Sequence, residues 1–210
     1  MEIVSISISD VRPLGYQGRR AQSGICKEPV NGPVFVTQEG IEGDAQADRE
    51  NHGGADKAVY AYAVENYRFW EQALGRKLSY GQFGENLAVS GMTDETVHIG
   101  DIFRIGPVEV QITQPRVPCF KLGMRMEDTG FVRRFHHSGR VGFYLRVLME
   151  GPISPGDSIE RLQADPGQLN IQDAMLALGK NPRQQEIIAR ALAIPALSQA
   201  WRESLSKKQR

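Results

Sequence analysis

The segment best suited to chemistry is a lone cysteine between cationic residues. Cys119 follows a strongly alternating run, with Arg116 and Lys121 on either side and prolines at 115 and 118 that restrict the backbone. Nearby positive charge lowers the pKa of a thiol, and the thiolate is the form that attacks or binds a soft metal. The competing interpretation is a buried structural cysteine, since unpaired cysteine is among the most buried residue types. The residues alone leave both interpretations open.

A pair of glycines with charged neighbours is a second candidate site. Gly53 and Gly54 follow His52 directly, and Lys57 comes where the pattern predicts a helix to begin. Glycine amides approach a ligand closely, and the first turn of a helix favours an anion. His52 adds a titratable donor. The competing interpretation is a tight turn and helix cap, with Asp56 as the cap.

The loop at residues 83–87 is a weaker candidate. Asn86 offers an amide to a polar ligand there, although loop asparagines often bond their own backbone. Cys26 is predicted to be passive, and the basic run at 133–137 is interpreted as a solvated helix face. Zinc-helix, nucleophile-elbow, dinucleotide-binding and phosphate-loop motifs are missing from the sequence.

Composition narrows the class of protein. Lys plus Arg and Asp plus Glu both number 25 among 210 residues, which gives a formal net charge of zero and argues against a generic nucleic-acid or membrane-surface binder. The two cysteines do not form a disulfide framework. The N-terminus lacks a signal-peptide pattern, and no apolar run approaches the ~20 residues that cross a bilayer. The predicted location is the cytoplasm.

Hydrophobic periodicity predicts a mainly β fold with helices. A period of two indicates strands at residues 3–8, 33–37, 97–99, 102–105, 108–113 and 142–148. Helical spacing indicates helices at about 58–74 and 127–137. After a Pro/Gly linker, the ends of three short helices are marked by Asn170, by Asn181 with Pro182, and by Pro195. We therefore predict a barrel domain at 1–163 and a three-helix domain at 164–210.

Five segments together resemble one known family. In order along the chain they read EGDAQAD, HGGADKAVYAY, FGENL, GDIFRIG and QPRVPCFKL. They are similar to MOSC-domain proteins of the YiiM type over about residues 4–162, and the tail matches the small helical domain of that type. The resemblance implies a strongly bent β-barrel core related to the mitochondrial amidoxime-reducing proteins. This chain is much shorter than those proteins and lacks their additional N-terminal domain.

The resemblance also implies a cofactor and the residues that hold it. In the amidoxime-reducing relatives a cysteine ligates molybdenum carried by a pterin dithiolene, and the PRxPC segment gives that role to Cys119. The anionic pterin phosphate needs cations or backbone amides. The candidates for this role are Arg116, Lys57, Lys121, Gly53 and Gly54, with Lys27 in addition. Asp44, Asn86 and His52 are expected to line the substrate side or to orient the ligands.

The implied reaction reduces N-hydroxylated bases and analogues, such as 6-N-hydroxylaminopurine, to the amine. His52 is the predicted proton donor because histidine titrates nearest neutrality. The sequence shows no motif for a flavin, haem or iron–sulfur cluster, so the expected electron source is a separate reductase.

Alternative hypotheses remain at this stage. Cys119 could instead carry a persulfide, or the chain could be a pterin-binding module without its own activity. The tail, with seven basic and three acidic residues over 170–210 and hence a net charge of +4, could contact nucleic acid, although these charges do not cluster on one face. A homodimer interface is a third hypothesis for the tail, based on its many apolar positions.

Overall fold

The computed structural model describes residues 1–47 and 53–209. The strands are β1 (Glu2–Ile8), β2 (Arg12–Tyr16), β3 (Arg19–Ser23), β4 (Glu28–Val30), β5 (Val34–Thr37), β6 (Gly40–Ile41), β7 (Val59–Ala63), β8 (Leu87–Ser90), β9 (Ile102–Ile105), β10 (Val108–Pro115), β11 (Phe143–Met149), β12 (Gly151–Ile153) and β13 (Ile159–Gln163). The helices are α1 (Val64–Leu74), α2 (Phe120–Arg125), α3 (Phe131–His137), α4 (Ile171–Met175), α5 (Gln184–Ala193) and α6 (Gln199–Ser206), with 3-10 turns at Ala55–Lys57 and Leu176–Leu178.

One bent sheet organises these elements. Within the described residues, eight strands pair in the order β13-β9-β10-β11-β7-β8-β1-β4. Register shifts interrupt the β1–β8, β10–β11 and β9–β13 ladders, and such bulges bend a sheet. The start of β1, next to one end of the sheet, bonds through residues 1–3 to residues 156–159, which lead into β13 at the other end. Strands β4 and β13 themselves are not paired within the described residues, so the bend stops short of a fully closed barrel. The predicted mainly β fold with helices is confirmed.

The hydrophobic core is continuous through the sheet and the helices. A group of stacked and edge-on aromatic rings lies where α1 and α3 cover the sheet, and its buried members are Tyr62, Tyr67, Trp70, Phe83, Phe131 and Phe135. Aromatic pairs of this kind contribute beyond the area they bury. No helix in the described ranges is long and apolar enough to cross a membrane.

The predicted helix at 58–74 is wrong in its first third. Residues Val59–Ala63 form strand β7, which pairs antiparallel with β11 and parallel with β8. All five residues of β7 are buried, so both faces are apolar and the alternation that reveals a half-buried strand is missing. The helix begins only at Val64 and ends at Leu74, where Gly75 adopts a left-handed conformation as predicted for its stop.

Other predicted elements also differ from the structure. The predicted strand at 97–99 is a turn with an isolated bridge from His98 to Asn170, and the helix predicted at 127–137 is confined to Phe131–His137. Helix α2 and the β2–β3 hairpin were not predicted. In β2 and β3 no residue except Ser23 is fully buried, so the hydrophobic signal that marks a strand is weak.

The three tail helices are confirmed, and they pack onto the sheet. Asn170 caps α4 by accepting from the Asp173 amide, whereas α6 begins at Gln199, later than predicted, because Ser198 is its cap. The Ser198 hydroxyl also donates to the Gln114 side chain of β10 at 2.6 Å. The apolar tail residues that suggested a dimer interface are buried or half-buried within this same chain; they are Ile171, Met175, Leu178, Ile187, Ile188, Leu192, Leu197 and Trp201. The boundary at 163/164 stays a prediction.

We expect Trp201→Ala to destabilise the whole chain. Trp201 is 4% exposed, and removing a buried tryptophan costs about 3–5 kcal/mol. Leu176→Ala is the control, because Leu176 is 39% exposed and should cost less than about 1 kcal/mol. Urea unfolding followed by tryptophan fluorescence and by circular dichroism measures both. An unchanged midpoint for Trp201→Ala would contradict the packing described here.

Candidate functional site

A pocket opens where the ends of β7, β10 and β11 meet the loops after β3 and β6. Its enclosed part measures about 90 Å³, and the empty space reaches about 600 Å³ when the open mouth is counted. Its walls combine cations, tyrosines, a thiol and small residues. The lining residues are Ser23, Gly24, Ile25, Lys27, Ala45, Gln46, Ala47, Tyr60, Gly84, Asn86, Arg116, Cys119, Lys121 and Tyr144.

Cys119 lies on the pocket wall between β10 and α2. It is half-buried, and its extended backbone directly precedes the first residue of α2. Lys121, two residues further, lines the same pocket. The structure therefore brings together three predicted residues, Arg116, Cys119 and Lys121, around one opening. A partly accessible thiol among cations matches the environment of a reactive or metal-binding cysteine.

Arg116 is a buried cation with unused hydrogen-bonding capacity. It is 5% exposed, and its guanidinium lies over the rings of Tyr60 and Phe135 at 5.4 and 5.5 Å. Its Nη1 atom is buried without a hydrogen-bond partner. A buried charged donor left unsatisfied is costly, so this nitrogen is suited to an anion in the pocket.

The backbone of Arg116 is fixed by a second buried charge. The Arg116 amide donates to the Gly142 carbonyl at 3.0 Å, while the amides of Val141 and Gly142 donate to the Asp94 carboxylate at 2.9 and 2.7 Å. Gly142 has a φ of 71°, and a Cβ there would lie 2.5 Å from the Ala61 carbonyl oxygen. Only glycine therefore fits this point of contact.

Two tyrosines in the pocket were missed by the sequence analysis. Tyr60 on β7 and Tyr144 on β11 are register partners, with ring centroids 5.5 Å apart. Burial raises the pKa of both hydroxyls, and the neighbouring Arg116 opposes the shift. Both therefore stay protonated at neutral pH. Tyr60 donates to the Val141 carbonyl at 2.8 Å, and Tyr144 forms a hydrogen bond with Arg116.

Lys27, Asp44 and Asn86 form a buried network on the opposite wall. Lys27 and Asp44 are ion-paired with both side chains 6% exposed, and the Asn86 amide donates to Asp44 at 2.9 Å. Asp44 also accepts from the Ser9 amide. Burial lowers the pKa of Lys27, while Asp44 raises it. Lys27 and Asn86 line the pocket, whereas Asp44 bonds to both without being part of the lining. The role predicted for Asp44 stays a prediction.

Asn86 is itself held in place by β7. The side-chain oxygen of Asn86 accepts from the Tyr60 backbone amide at 3.1 Å. The backbone amide of Asn86 donates to the Tyr60 carbonyl at 2.8 Å. The predicted alternative, a loop asparagine bonding its own backbone, does not describe these contacts.

Beneath this network lies a buried carboxylate, Glu85. It accepts from the Tyr67 hydroxyl and from the amides of Gly81 and Phe83. Burial raises the pKa of Glu85, and these hydrogen bonds oppose the shift. The loop before β8 is thereby fixed from inside.

Two glycines keep the loops of the pocket close together. A Cβ on Gly24 would lie 2.0 Å from the Ala45 carbonyl oxygen, and one on Gly84, whose φ is 84°, would lie 2.7 Å from the Ile25 side chain. Since all four residues line the pocket, the glycines shape its walls.

The glycine pair at 53–54 lies outside this lining. Gly53 is half-buried, and Gly54, with a φ of 89°, precedes the 3-10 turn Ala55–Lys57. Asp56 in that turn accepts from Arg146 and from the Gln199 amide, which attaches the turn to β11 and α6. Lys57 is half-buried and is not part of the lining. His52, the predicted proton donor, lies outside the described residues.

The family is shown by comparison with known proteins. The model of the MOSC domain matches residues 48–160, a range that includes Cys119, Arg116 and Asn86. MOSC domains generally bind the molybdenum cofactor. The chain belongs to the MOSC domain family.

Within that family the chain is of the YiiM type. It is 42% identical over 206 residues to the uncharacterized protein YflK of Bacillus subtilis, covering 98% of this chain and 93% of that protein. It is 32% identical over 189 residues to the protein YiiM of Escherichia coli, covering 89% and 84%. The crystal structure of YiiM from Geobacillus stearothermophilus matches with a TM-score of 0.83 and 33% identity, covering 100% of this chain and 99% of that one.

A further relative is a longer protein. A protein of Gibberella moniliformis named "Reductase" is 37% identical over 153 residues, which covers 71% of this chain but 27% of that protein.

The pocket residues fit the cofactor of this family. The half-buried Cys119 offers a sulfur ligand for a soft metal, and the unpartnered Arg116 nitrogen with Lys121 and Lys27 offers positive charge for a phosphate.

Arg116→Met is expected to leave the chain as stable as before or more so, while removing anion binding. A buried guanidinium with an unused donor costs desolvation energy that a methionine of similar reach avoids. Inorganic phosphate at ten times its dissociation constant should stabilise the wild type by about 1.4 kcal/mol and the variant not at all. Thermal unfolding with and without phosphate measures both effects.

Arg133→Met is the matched control for this experiment, because Arg133 is exposed. It should keep the phosphate effect. A phosphate effect that survives Arg116→Met would show that the anion binds elsewhere.

Glu85→Gln should flatten the pH dependence of stability. Because the pKa of Glu85 is raised in the folded chain, its contribution is fully present below the unfolded pKa of 4.5 and is lost as pH rises through the folded pKa. The wild type should therefore lose stability as pH rises above 4.5 relative to the glutamine variant. Urea midpoints across pH 4 to pH 8, roughly the range over which a raised carboxyl titrates, measure the difference. Parallel curves would contradict the raised pKa.

Proposed function

We propose that the chain holds the molybdenum cofactor in this pocket and reduces N-hydroxylated compounds to amines, with Cys119 as the metal ligand. The observation that carries the proposal is the coincidence of a half-buried thiol with an unpartnered buried guanidinium nitrogen in one pocket. The substrates would include 6-N-hydroxylaminopurine, related bases and amidoximes. Family membership supports the cofactor, and the relative named as a reductase supports the reaction class.

The overall change needs an electron source and protons. An N-hydroxylamine takes up two electrons and two protons, the N–O bond breaks, and an amine and water are released. The bound cofactor would supply the redox chemistry. The electrons would come from a separate electron-donating reductase.

The residues of the chain would bind, orient and protonate. The phosphate of the pterin would be neutralised by Arg116, Lys121 and Lys27. The ion pair with Asp44 would keep the Lys27 side chain in position. Gly53, Gly54 and Lys57, which are not part of the lining, remain predicted contacts of the pterin phosphate. Tyr60 and Tyr144, which stay protonated, would present a polar wall without adding charge. His52 remains the proposed proton donor.

A persulfide carrier is the second candidate function, because Cys119 is half-buried and therefore within reach of a sulfur donor. Such a carrier needs no anion site, so the unpartnered Arg116 nitrogen favours the cofactor. Intact mass separates the two functions, since a persulfide adds one sulfur atom that a reducing agent removes.

Molybdenum and pterin content should depend on Cys119 and not on Cys26. Expressed in a cofactor-competent host, Cys119→Ala should lose at least about nine-tenths of its molybdenum, because the metal loses its thiolate ligand. Cys26→Ala is the matched control, since Cys26 is also half-buried but does not line the pocket. Elemental analysis and pterin fluorescence measure the content. A wild type without either component, from a host that loads other enzymes, would contradict the proposal.

A further inference from the structure

We propose that the β2–β3 hairpin and the adjoining helix α2 form a docking surface for an acidic electron-carrier protein. This inference rests on the proposed function, because it names the kind of partner that would supply the electrons. It concerns exposed residues beside the pocket that are not part of its lining: Arg19, Arg20, Val117 and Phe120.

The hairpin is a firm, defined element. Its strands pair in full register from Arg12 with Ser23 to Tyr16 with Arg19. The two turn residues, Gln17 and Gly18, have φ values of 47° and 77°, the left-handed conformations that a tight two-residue turn requires. The hairpin therefore presents the arginines after its turn in a fixed place.

Its two faces differ. Leu14, Tyr16 and Ala21 lie on one face and are half-buried, and β2 packs against α2. Arg20 and Gln22 lie on the opposite face and are exposed. At its base, β3 runs directly into Ser23 and the following residues of the pocket wall, so the hairpin continues that wall outward.

Basic residues outnumber acidic ones in the hairpin and in the segment that contains α2. Residues 11–23 contain three arginines and no acidic residue, and residues 117–137 contain four basic and two acidic residues. The two segments together carry a formal charge of +5 in a chain whose total is zero. Arg12 is paired with Glu28 and Arg134 with Asp128, while Arg19, Arg20 and Arg133 extend into solvent.

An apolar centre accompanies the charge. Val117 and Phe120, on either side of Cys119, are 41% and 52% exposed. Exposed apolar side chains within a charged rim are typical of protein–protein interfaces, where rim charges steer the partner and apolar groups hold it. A nucleic-acid duplex would use the arginines but would leave Val117 and Phe120 without a role. The combination favours an acidic protein.

The position suits electron delivery. The proposed reduction consumes two electrons per turnover, and a donor must approach the pocket mouth to deliver them. A protein seated on the hairpin and α2 would cover that mouth next to Cys119. Opposite charges on the two surfaces would raise the rate of encounter and make it depend on salt.

The test uses the full chain without cofactor and, as a probe, a purified acidic electron carrier of the flavodoxin class. Binding is measured by titration calorimetry at low and high salt. The double variant Arg19→Ser, Arg20→Ser should bind about five- to tenfold more weakly than the wild type at low salt, and the difference should shrink at high salt. The control is Arg68→Ser, Arg76→Ser, which removes two exposed arginines on and after α1 and should bind as the wild type does.

Three outcomes would overturn the inference. These are no binding of the carrier to the wild type, an equal loss in the α1 control, or an arginine-dependent affinity for duplex DNA or RNA that exceeds the affinity for the carrier. A second measurement separates this inference from the proposed function. Substrate reduction by loaded enzyme with reduced methyl viologen, which needs no docking surface, should be the same in the hairpin variant and the wild type. Failure of that reaction in the wild type would count against the proposed function, whereas the binding result stands on its own.

Discussion

Burial of the Arg116 guanidinium is the constraint on which the rest of the site depends. A cation removed from water must be compensated, and here two aromatic rings and a tyrosine hydroxyl do so incompletely. Tyr60 comes from β7, Tyr144 from β11 and Arg116 from the residue after β10. Because these three strands pair side by side, the three side chains meet at one point. Asp94 fixes Gly142 by accepting from its amide, and Gly142 in turn accepts from the backbone amide of Arg116. The donor without a partner is the part of the arrangement that is suited to an anionic ligand.

On the opposite wall, buried charges are likewise compensated by neighbouring groups. Lys27 and Asp44 compensate each other, and Asn86 joins this pair to the backbone of β7. Glu85 lies behind the pair, compensated by a hydroxyl and two amides. Charges are therefore buried on both sides of the pocket, and each is held by groups from distant parts of the chain. Such a site trades stability for a defined electrostatic environment, as functional sites commonly do.

Much of the frame could be predicted from the sequence, and part of the site. In β10 and β11 the first five residues alternate between buried and half-buried, and in β1 isoleucines alternate with serines, so the period of two reveals these strands. Strand β7 buries both faces, so the same analysis takes it for a helix. Arg116, Cys119 and Lys121 are close in sequence, and their convergence on one pocket follows from a single strand-to-helix turn. Tyr60 and Tyr144 were not predictable, because they meet only through the register of β7 and β11, which depends on the whole sheet. The Lys27–Asp44 contact likewise depends on the close approach of two loops at Gly24.

The hydrogen bonds between the tail and the sheet limit which parts of the chain can be exchanged during evolution. Gln199 and Ser198, at the start of α6, bond to Asp56 before β7 and to Gln114 at the end of β10. The last helix is thus joined to the segments that lead to Tyr60 and to Arg116 in the pocket. A substitution at any of these positions affects the hydrogen bond that its partner in the other segment makes. Recombination between relatives that exchanged the tail alone would separate matched partners, so inheritance should keep tail and sheet together as one unit.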